Sequence, residues 1–562
     1  MGIPAFFQKC VKSYPAAFVN IKTVTHTETI DTLYMDSNSV IYDVVNEMSE
    51  HGQTDIPDTP ETELQIFSHS AKRIEDYILS VKPNSEVYIA FDGIAPIAKM
   101  EQQRCRRYRG TIISGMETSP EPATKSAINK FSITSITPGT GFMKRFASFV
   151  DNYFRVLKVY TGRNKLLEIH VSTSEFIGEG EHKIFNHVRK AGNYAKTLAV
   201  YGLDADLIVL SLFNLSYCDN MFLIRDPVDY TNSENKNPYS DSMVCIDMNI
   251  LAKTISTEIR GSRKTRDPAL GELRSEADMD VVYDYLFLCF LLGNDFIPHS
   301  PVVNVRTNGM QILKDLYGVH ICPYKDRRLV KDGDIEWKWV SLIIDELKKI
   351  ERTVLLKEYK TRDGIEKSVM RGDKKDDVNN IPILSRTAER YINPDDAGWE
   401  NRYYKSLFGM MDDRGDKRVF NRRLKNTVNM VCDNYMEGLE WIYRYYTGDC
   451  VDWQWKYDYL YPPLFRDLSV YVPRMNVELL EKTERLPMNH VVQLLYVMNP
   501  NTYHKYDTIP PNVIDEVRNK YPELFVESTV LSIAFCRYLW EAHPVIPDIN
   551  LDMVKDFVKM VR

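Results

Sequence analysis

Long apolar runs are missing from this chain of 562 residues. No segment is therefore expected to span a bilayer. The N-terminal Met1-Gly2-Ile3-Pro4-Ala5-Phe6-Phe7 lacks the basic start and extended apolar core of a signal peptide. It also has Phe6 where a myristoylation pattern needs Ser or Thr. The nine cysteines form no C-x-x-C pair and no Cys/His cluster at zinc spacing. That argues against structural zinc and for reduced thiols, with the cytoplasm as the expected compartment and the nucleus as the alternative. Excess positive charge is absent too: 71 Lys and Arg against 78 Asp and Glu give −7. Any polyanion would need a local basic patch. There is no Walker loop, no evident Ser/His/Asp set and no sequence repeat.

What is present is a globular composition, 44% hydrophobic and 27% charged, in a chain too long for one core. The stretch Leu198–Leu210 organises it. Leu198-Ala199-Val200-Tyr201 reads as a buried parallel strand, breaks at Gly202 and delivers Asp204 and Asp206. Ligands of open α/β sheets lie beyond such strand ends. An Asp-rich turn capping the next helix is the bland alternative, but the pattern recurs. Thr32-Leu33-Tyr34-Met35 ends in Asp36, and Val87–Phe91 ends in Asp92, with an amphipathic helix around Glu63–Ser80 between them. This suggests a βαβ unit. Leu166–Val171 reads as another strand, leading to Gly178-Glu179-Gly180-Glu181-His182-Lys183 at the start of a helix. Leu223-Ile224-Arg225 reads as a further strand. An apolar helix over Asp284–Leu292 stops at Gly293-Asn294-Asp295.

Between Lys99 and Arg109 stand five basic residues and one acid. In a helix, Lys99, Gln103, Arg106 and Arg107 share one face, and such forks suit a terminal phosphate. A solvated helix face is the plain alternative. A helix with Phe142, Phe146, Phe149 and Val150 on one side follows Pro138-Gly139-Thr140. Polar loops are expected over 51–62, 111–131, 232–240 and 261–271. Residues 311–390 read as a charged linker or lid, and 391–562 as a mostly helical, aromatic-rich region after a nuclease-like domain over 1–310.

Seven acids thus stand at element ends: Asp36, Asp92, Glu179, Glu181, Asp204, Asp206 and Asp295. In one crevice they could not all stay ionised without cations. Oxygen-only ligation favours Mg²⁺ or Mn²⁺, and two such ions clamp the attacking and leaving oxygens of a phosphodiester. The residues alone therefore point to a two-metal phosphodiesterase beside a phosphate pocket.

The chain also resembles the Xrn family of 5′→3′ exoribonucleases. The resemblance rests on Met1–Phe7, Leu33–Asp36, Phe91–Pro96 with Lys99–Arg107, Pro138–Thr140, Gly178–Lys183, Tyr201–Asp206 and Phe290–His299. It continues in Glu437–Trp441, Trp453–Trp455 and Pro487–Pro500. It implies an α/β fold, with a PIN/FEN-like nuclease domain on a mainly parallel sheet and a mostly helical second region around the active site. It implies that the seven acids are catalytic and hold two Mg²⁺, with Mn²⁺ able to substitute. Lys99, Gln103, Arg106 and Arg107 would hold the 5′-monophosphate of single-stranded RNA. Bases would stack between Tyr42, where the family commonly has His, and Trp453 or Trp455. Decapping factors are implied partners, and a monomer without membrane attachment is expected.

Three departures stand out. Ser39 replaces a usual Gly, Ile97 replaces a common Arg, and the stretch from Arg109 to Pro138 is shorter than the family's projecting helix. The end at Arg562, without long C-terminal extensions, resembles reduced forms carried by large DNA viruses. A flap endonuclease of the same superfold and an inactive RNA-end-binding scaffold are the rival readings.

Overall fold

The computed structural model describes residues 6–50, 56–117, 130–161, 165–192, 194, 196–226, 243–261, 276–305, 308–369, 382–410, 417–480, 485–526 and 529–562. Met1–Ala5 and much of the expected loops at 51–62, 111–131, 232–240 and 261–271 lie outside the described residues.

Seven strands form the central sheet: β1 (Phe18–Asn20), β2 (Thr32–Asp36), β3 (Glu86–Ala90), β4 (Glu168–Ser172), β5 (Thr197–Tyr201), β6 (Asn220–Arg225) and β7 (Val244–Asp247). Their order is β1-β7-β6-β5-β2-β3-β4. The run from β6 to β4 is parallel throughout, and β7 is antiparallel to both β6 and β1. Chain order departs in both directions from β2, with β3 on one side and β5 on the other. That makes the β2/β5 boundary a switch point, where a crevice opens beyond the strand ends. Strand periodicity sends Leu33, Met35, Val87, Ile89 and Ala199 to one face, and Tyr34, Leu198 and Val200 to the other. Both faces are covered, so the strands are apolar nearly throughout.

The helices follow local signals. Thr59 caps Pro60–Val81 by accepting from Thr62 N at 3.3 Å, Pro60 opens it, and Glu61 and Glu63 suit its N-terminal dipole. It ends at Lys82, which is left-handed at φ 56°. Thr140 caps Gly141–Val156, whose Phe142, Phe146 and Phe149 pack on Phe67 at 5.2, 5.4 and 5.7 Å.

The second half is mostly helical, with two two-stranded sheets, Val330–Lys331 with Asp334–Ile335 and Val530–Ser532 with His543–Val545. Glu276–Phe290, Trp337–Val369 and Lys417–Thr447 are its longest helices. Trp337, Val340, Ile343, Ile344, Leu347 and Leu355 join the main core, so the stretch read as a charged linker or lid is packed along its apolar side. A third cluster ties Ile94, Ala95, Ile97 and Met100 to Val492, Leu494, Leu495 and Tyr496. It fixes the base of the basic helix, Ile97–Glu117, and buries Ile97 there. Among the described residues no helix is long and apolar enough to cross a membrane.

Candidate active site

Asp36 closes β2, level with Ala90 of β3, and Asp92 follows two residues later. Gly180 N donates to Asp92 Oδ1 at 2.8 Å, and Asn38 Nδ2 donates to Asp92 Oδ2 at 2.7 Å. A Cβ at Gly180 would stand 2.5 Å from Asp36 Oδ1, so only glycine lets this backbone approach the two acids. Glu179 and Glu181 flank it, both buried. Beyond β5, Asp204 Oδ1 accepts from Asp206 N at 3.1 Å, and Asp206 opens the helix Asp206–Phe213. Gly293, at φ +81°, turns the chain where an added Cβ would meet His299 N at 2.6 Å, and Asp295 follows. Lys99 Nζ joins the two halves, 2.8 Å from Glu179 Oε2 and 3.1 Å from Asp295 Oδ2.

Burial and mutual repulsion set the titration here. Burial, then Asp92 and Asp204, push Asp36 well above the carboxylate range. Burial raises Glu181 strongly against the opposing Lys99, with Asp204 and Asp206 adding to the rise. Asp206 is pushed up to about 8 by burial, then by Asp204 and Asp295. Asp36 Oδ1 and both Asp206 oxygens are buried and accept no hydrogen bond among the described residues. Such groups call for a partner, and a bound cation is one that would satisfy them while they are ionised. Glu179, Glu181 and His182 offer ligand atoms all within 4.8 Å of one another. The donors therefore fit a divalent metal ion.

The four residues expected in one phosphate pocket divide. Lys99 lies among the acids, as above. Gln103 is half-buried, with Oε1 free of any hydrogen bond among the described residues. Arg106 is exposed. Arg107 donates to Thr137 Oγ1 at 2.8 Å and to Val497 O at 3.3 Å, and burial lowers it to about 10. The hydroxyl of Tyr42 donates to Ile136 O at 3.1 Å, and the charges of Arg106 and Arg107 act on it after burial. The two tryptophans also differ. Trp455 is 6% exposed and stacks on Trp441 at 5.1 Å. Trp453 is half-buried, and its carbonyl accepts from Ile97 N at 2.9 Å, where the basic helix begins.

Comparison with known families decides the kinship. The family described as "XRN 5'-3' exonuclease N-terminus" matches residues 1–227. The one described as "Xrn1 helical domain" matches residues 276–392 and 392–550. The chain belongs to the Xrn family. Among its relatives are proteins named "5'-3' exoribonuclease 1" from Schizosaccharomyces pombe and Saccharomyces cerevisiae, each 24% identical, over 83% and 84% of this chain. A "5'-3' exoribonuclease 2 homolog" from Drosophila melanogaster is 23% identical over 98% of this chain and 70% of its own length. The chain spans 42% and 37% of the two yeast proteins.

Several residues of this Xrn site escape a reading of the sequence. Lys183 donates from Nζ to Phe91 O and Thr173 O, both at 2.8 Å, clamping the end of β3 to the loop after β4. Asn38 braces Asp92. Tyr445, from the far half of the chain, donates to Glu179 Oε1 at 2.7 Å. Only the adjacency of His182 and Lys183 to Glu181 was a signal; Tyr445 is one aromatic among many.

Proposed function

We propose that this chain is a 5′→3′ exoribonuclease that hydrolyses 5′-monophosphorylated single-stranded RNA to nucleoside 5′-monophosphates, acting in RNA degradation. The observation that carries the reading is the buried set of carboxylates with orphaned oxygens on Asp36 and Asp206, beside the base of a basic helix. The proposed ligands are Asp36, Asp92, Glu179, Glu181, Asp204, Asp206 and Asp295, and the proposed cofactor is a pair of Mg²⁺ ions. When bound, such ions supply Lewis-acid activation of water and neutralise charge on the phosphodiester.

The chain's own residues do the rest. Arg106 and Arg107, with Gln103, grip the 5′-phosphate, since guanidinium forks match phosphate oxygens. Lys99, at the border of acids and basic helix, serves the phosphate and the acids alike. Trp453 rather than Trp455 is the proposed stacking partner of the first base, opposite Tyr42, because the Trp455 ring is already enclosed. Stacking tolerates any base and is worth about 1–3 kcal/mol each, which suits unselective, stepwise degradation. A pocket built for a single phosphate group would exclude a cap or a triphosphate, so a decapping reaction would come first. Residues 1–310 form the proposed nuclease domain and 391–562 the helical region that closes it.

The test is product analysis. Internally labelled RNA incubated with the protein and Mg²⁺ should yield mononucleotides from the first time points, and none with EDTA. Fragments of intermediate length would instead support an endonuclease, and intact RNA a scaffold.

A further inference from the structure

The helical half reaches the acids through the Tyr445 hydroxyl, which donates to Glu179 Oε1 at 2.7 Å while Lys99 holds Oε2 at 2.8 Å. A carboxylate tied at one oxygen still swings about its last side-chain bond; one tied at both keeps a fixed plane. The phenol is itself fixed. Its ring lies on His182 at 3.6 Å and 26°, and on Trp441 at 4.7 Å and 27°. Trp441 in turn stacks on Trp455 at 5.1 Å and 23°, and its indole N–H donates to Asp452 O at 2.8 Å. A Cβ at Gly438 would meet Trp455 Cη2 at 3.0 Å and Ile297 Cγ2 at 2.8 Å, so the column has no slack. The rings form a continuous rod from the loop that carries Trp453 to Glu179.

We propose that Tyr445 is a positioning residue, whose hydroxyl sets the orientation in which Glu179 meets a divalent cation, and that the Trp455–Trp441 column holds that hydroxyl in place. Removing a partner that orients a metal ligand typically costs about 10–100-fold in metal affinity or activity. The inference rests on the metal-dependent reading above.

The test titrates Mn²⁺ into RNA-free protein, followed by electron paramagnetic resonance. Tyr445→Phe keeps the ring and its column and removes only the hydroxyl. Its dissociation constant for Mn²⁺ should rise about 10–100-fold. Its cleavage of RNA should recover as Mn²⁺ is raised, which a packing defect would not give. Tyr404→Phe is the matched control. It loses the bond donated to Asp467 Oδ2 at 2.9 Å and the one accepted from Leu464 N at 3.1 Å, neither to any of the seven acids, and should bind Mn²⁺ as the wild type does. Wild-type affinity in Tyr445→Phe, or equal weakening in both variants, would overturn the proposal while leaving the metal reading intact. A wild-type protein that binds no Mn²⁺ would overturn both.

Discussion

Lys99 and Glu179 form a buried ion pair, 2.8 Å from Nζ to Oε2, inside the acid cluster and not on the open face of the basic helix. Burial opposes the charge on Lys99, but Glu179, Asp295, Glu181 and Asp204 together hold its pKa well above the usual lysine value. The ammonium therefore supplies positive charge where the acids most need it.

Replacing Lys99 with Met should destabilise the metal-free protein by about 3 kcal/mol, the typical penalty for stripping one partner from a buried pair. Added Mg²⁺ should return much of that loss, because a cation that binds only the folded state stabilises it. Urea unfolding with and without Mg²⁺ measures both effects. An unchanged midpoint in metal-free buffer would contradict this role.

In metal-free protein, the contribution of Asp206 to stability should fall as pH rises from about 4 to about 8. The buried His182 and the half-buried His187 and His543, all held below the usual histidine value, act in the opposite direction up to about 6.5. Asp206 has its folded pKa raised to about 8, chiefly by burial. Within that window the folded state holds a proton on Asp206 that the unfolded state has lost, so this contribution decreases with pH. Asp36 and Glu181 are shifted in the same direction. Saturating Mg²⁺ should flatten the slope, since binding displaces those protons. In EDTA, midpoints of the wild type relative to Asp206→Asn should drop across the window; a difference that does not change with pH would reject this description of the acids.

Arg106→Ala should spare stability, because the side chain is exposed. A charge-assisted hydrogen bond is worth about 1.5–3 kcal/mol, so kcat/KM on 5′-monophosphate RNA should drop about 10–100-fold. The low rate on 5′-hydroxyl RNA should stay the same. Arg107→Ala should lose both activity and stability, since Arg107 also bonds Thr137 and Val497. Equal losses on both RNA ends for Arg106→Ala would remove it from the phosphate pocket.

The two tryptophans should separate cleanly. Trp453→Ala should weaken single-stranded RNA binding by about 1–3 kcal/mol with the fold retained. Trp455→Ala, which empties a packed ring site, should cost about 3–5 kcal/mol of stability. Fluorescence anisotropy and thermal unfolding on the same preparations distinguish them. A Trp453→Ala variant with intact affinity would leave base stacking to other rings.

Much of the acid site was legible because each carboxylate sits where an apolar strand or helix stops, at Asp36, Asp92, Asp204 and Asp295. Strand β2, β3 and β5 were readable for the same reason, being buried on both faces. Spacing on a helical wheel grouped Lys99 with Arg106 and Arg107, but a wheel gives direction and not depth. Lys99 stands near the helix base, level with the acids, while Arg106 lies about two turns on, and the two diverge. Strand β1 is short and pairs only with β7, far away in sequence, as Phe18 does with Ile246. No local pattern announces such pairing. Tyr445 was hidden for a related reason: its bond to Glu179 spans 266 residues.

The most direct test of the whole account uses end-labelled single-stranded RNA carrying a 5′-monophosphate, 5′-triphosphate, cap or 5′-hydroxyl, with Mg²⁺ or EDTA and with Asp206→Asn as control. Rapid mononucleotide release is expected from the monophosphate RNA alone, abolished by EDTA and by the substitution. Cleavage that ignores the 5′ group, or that survives in Asp206→Asn, would contradict it.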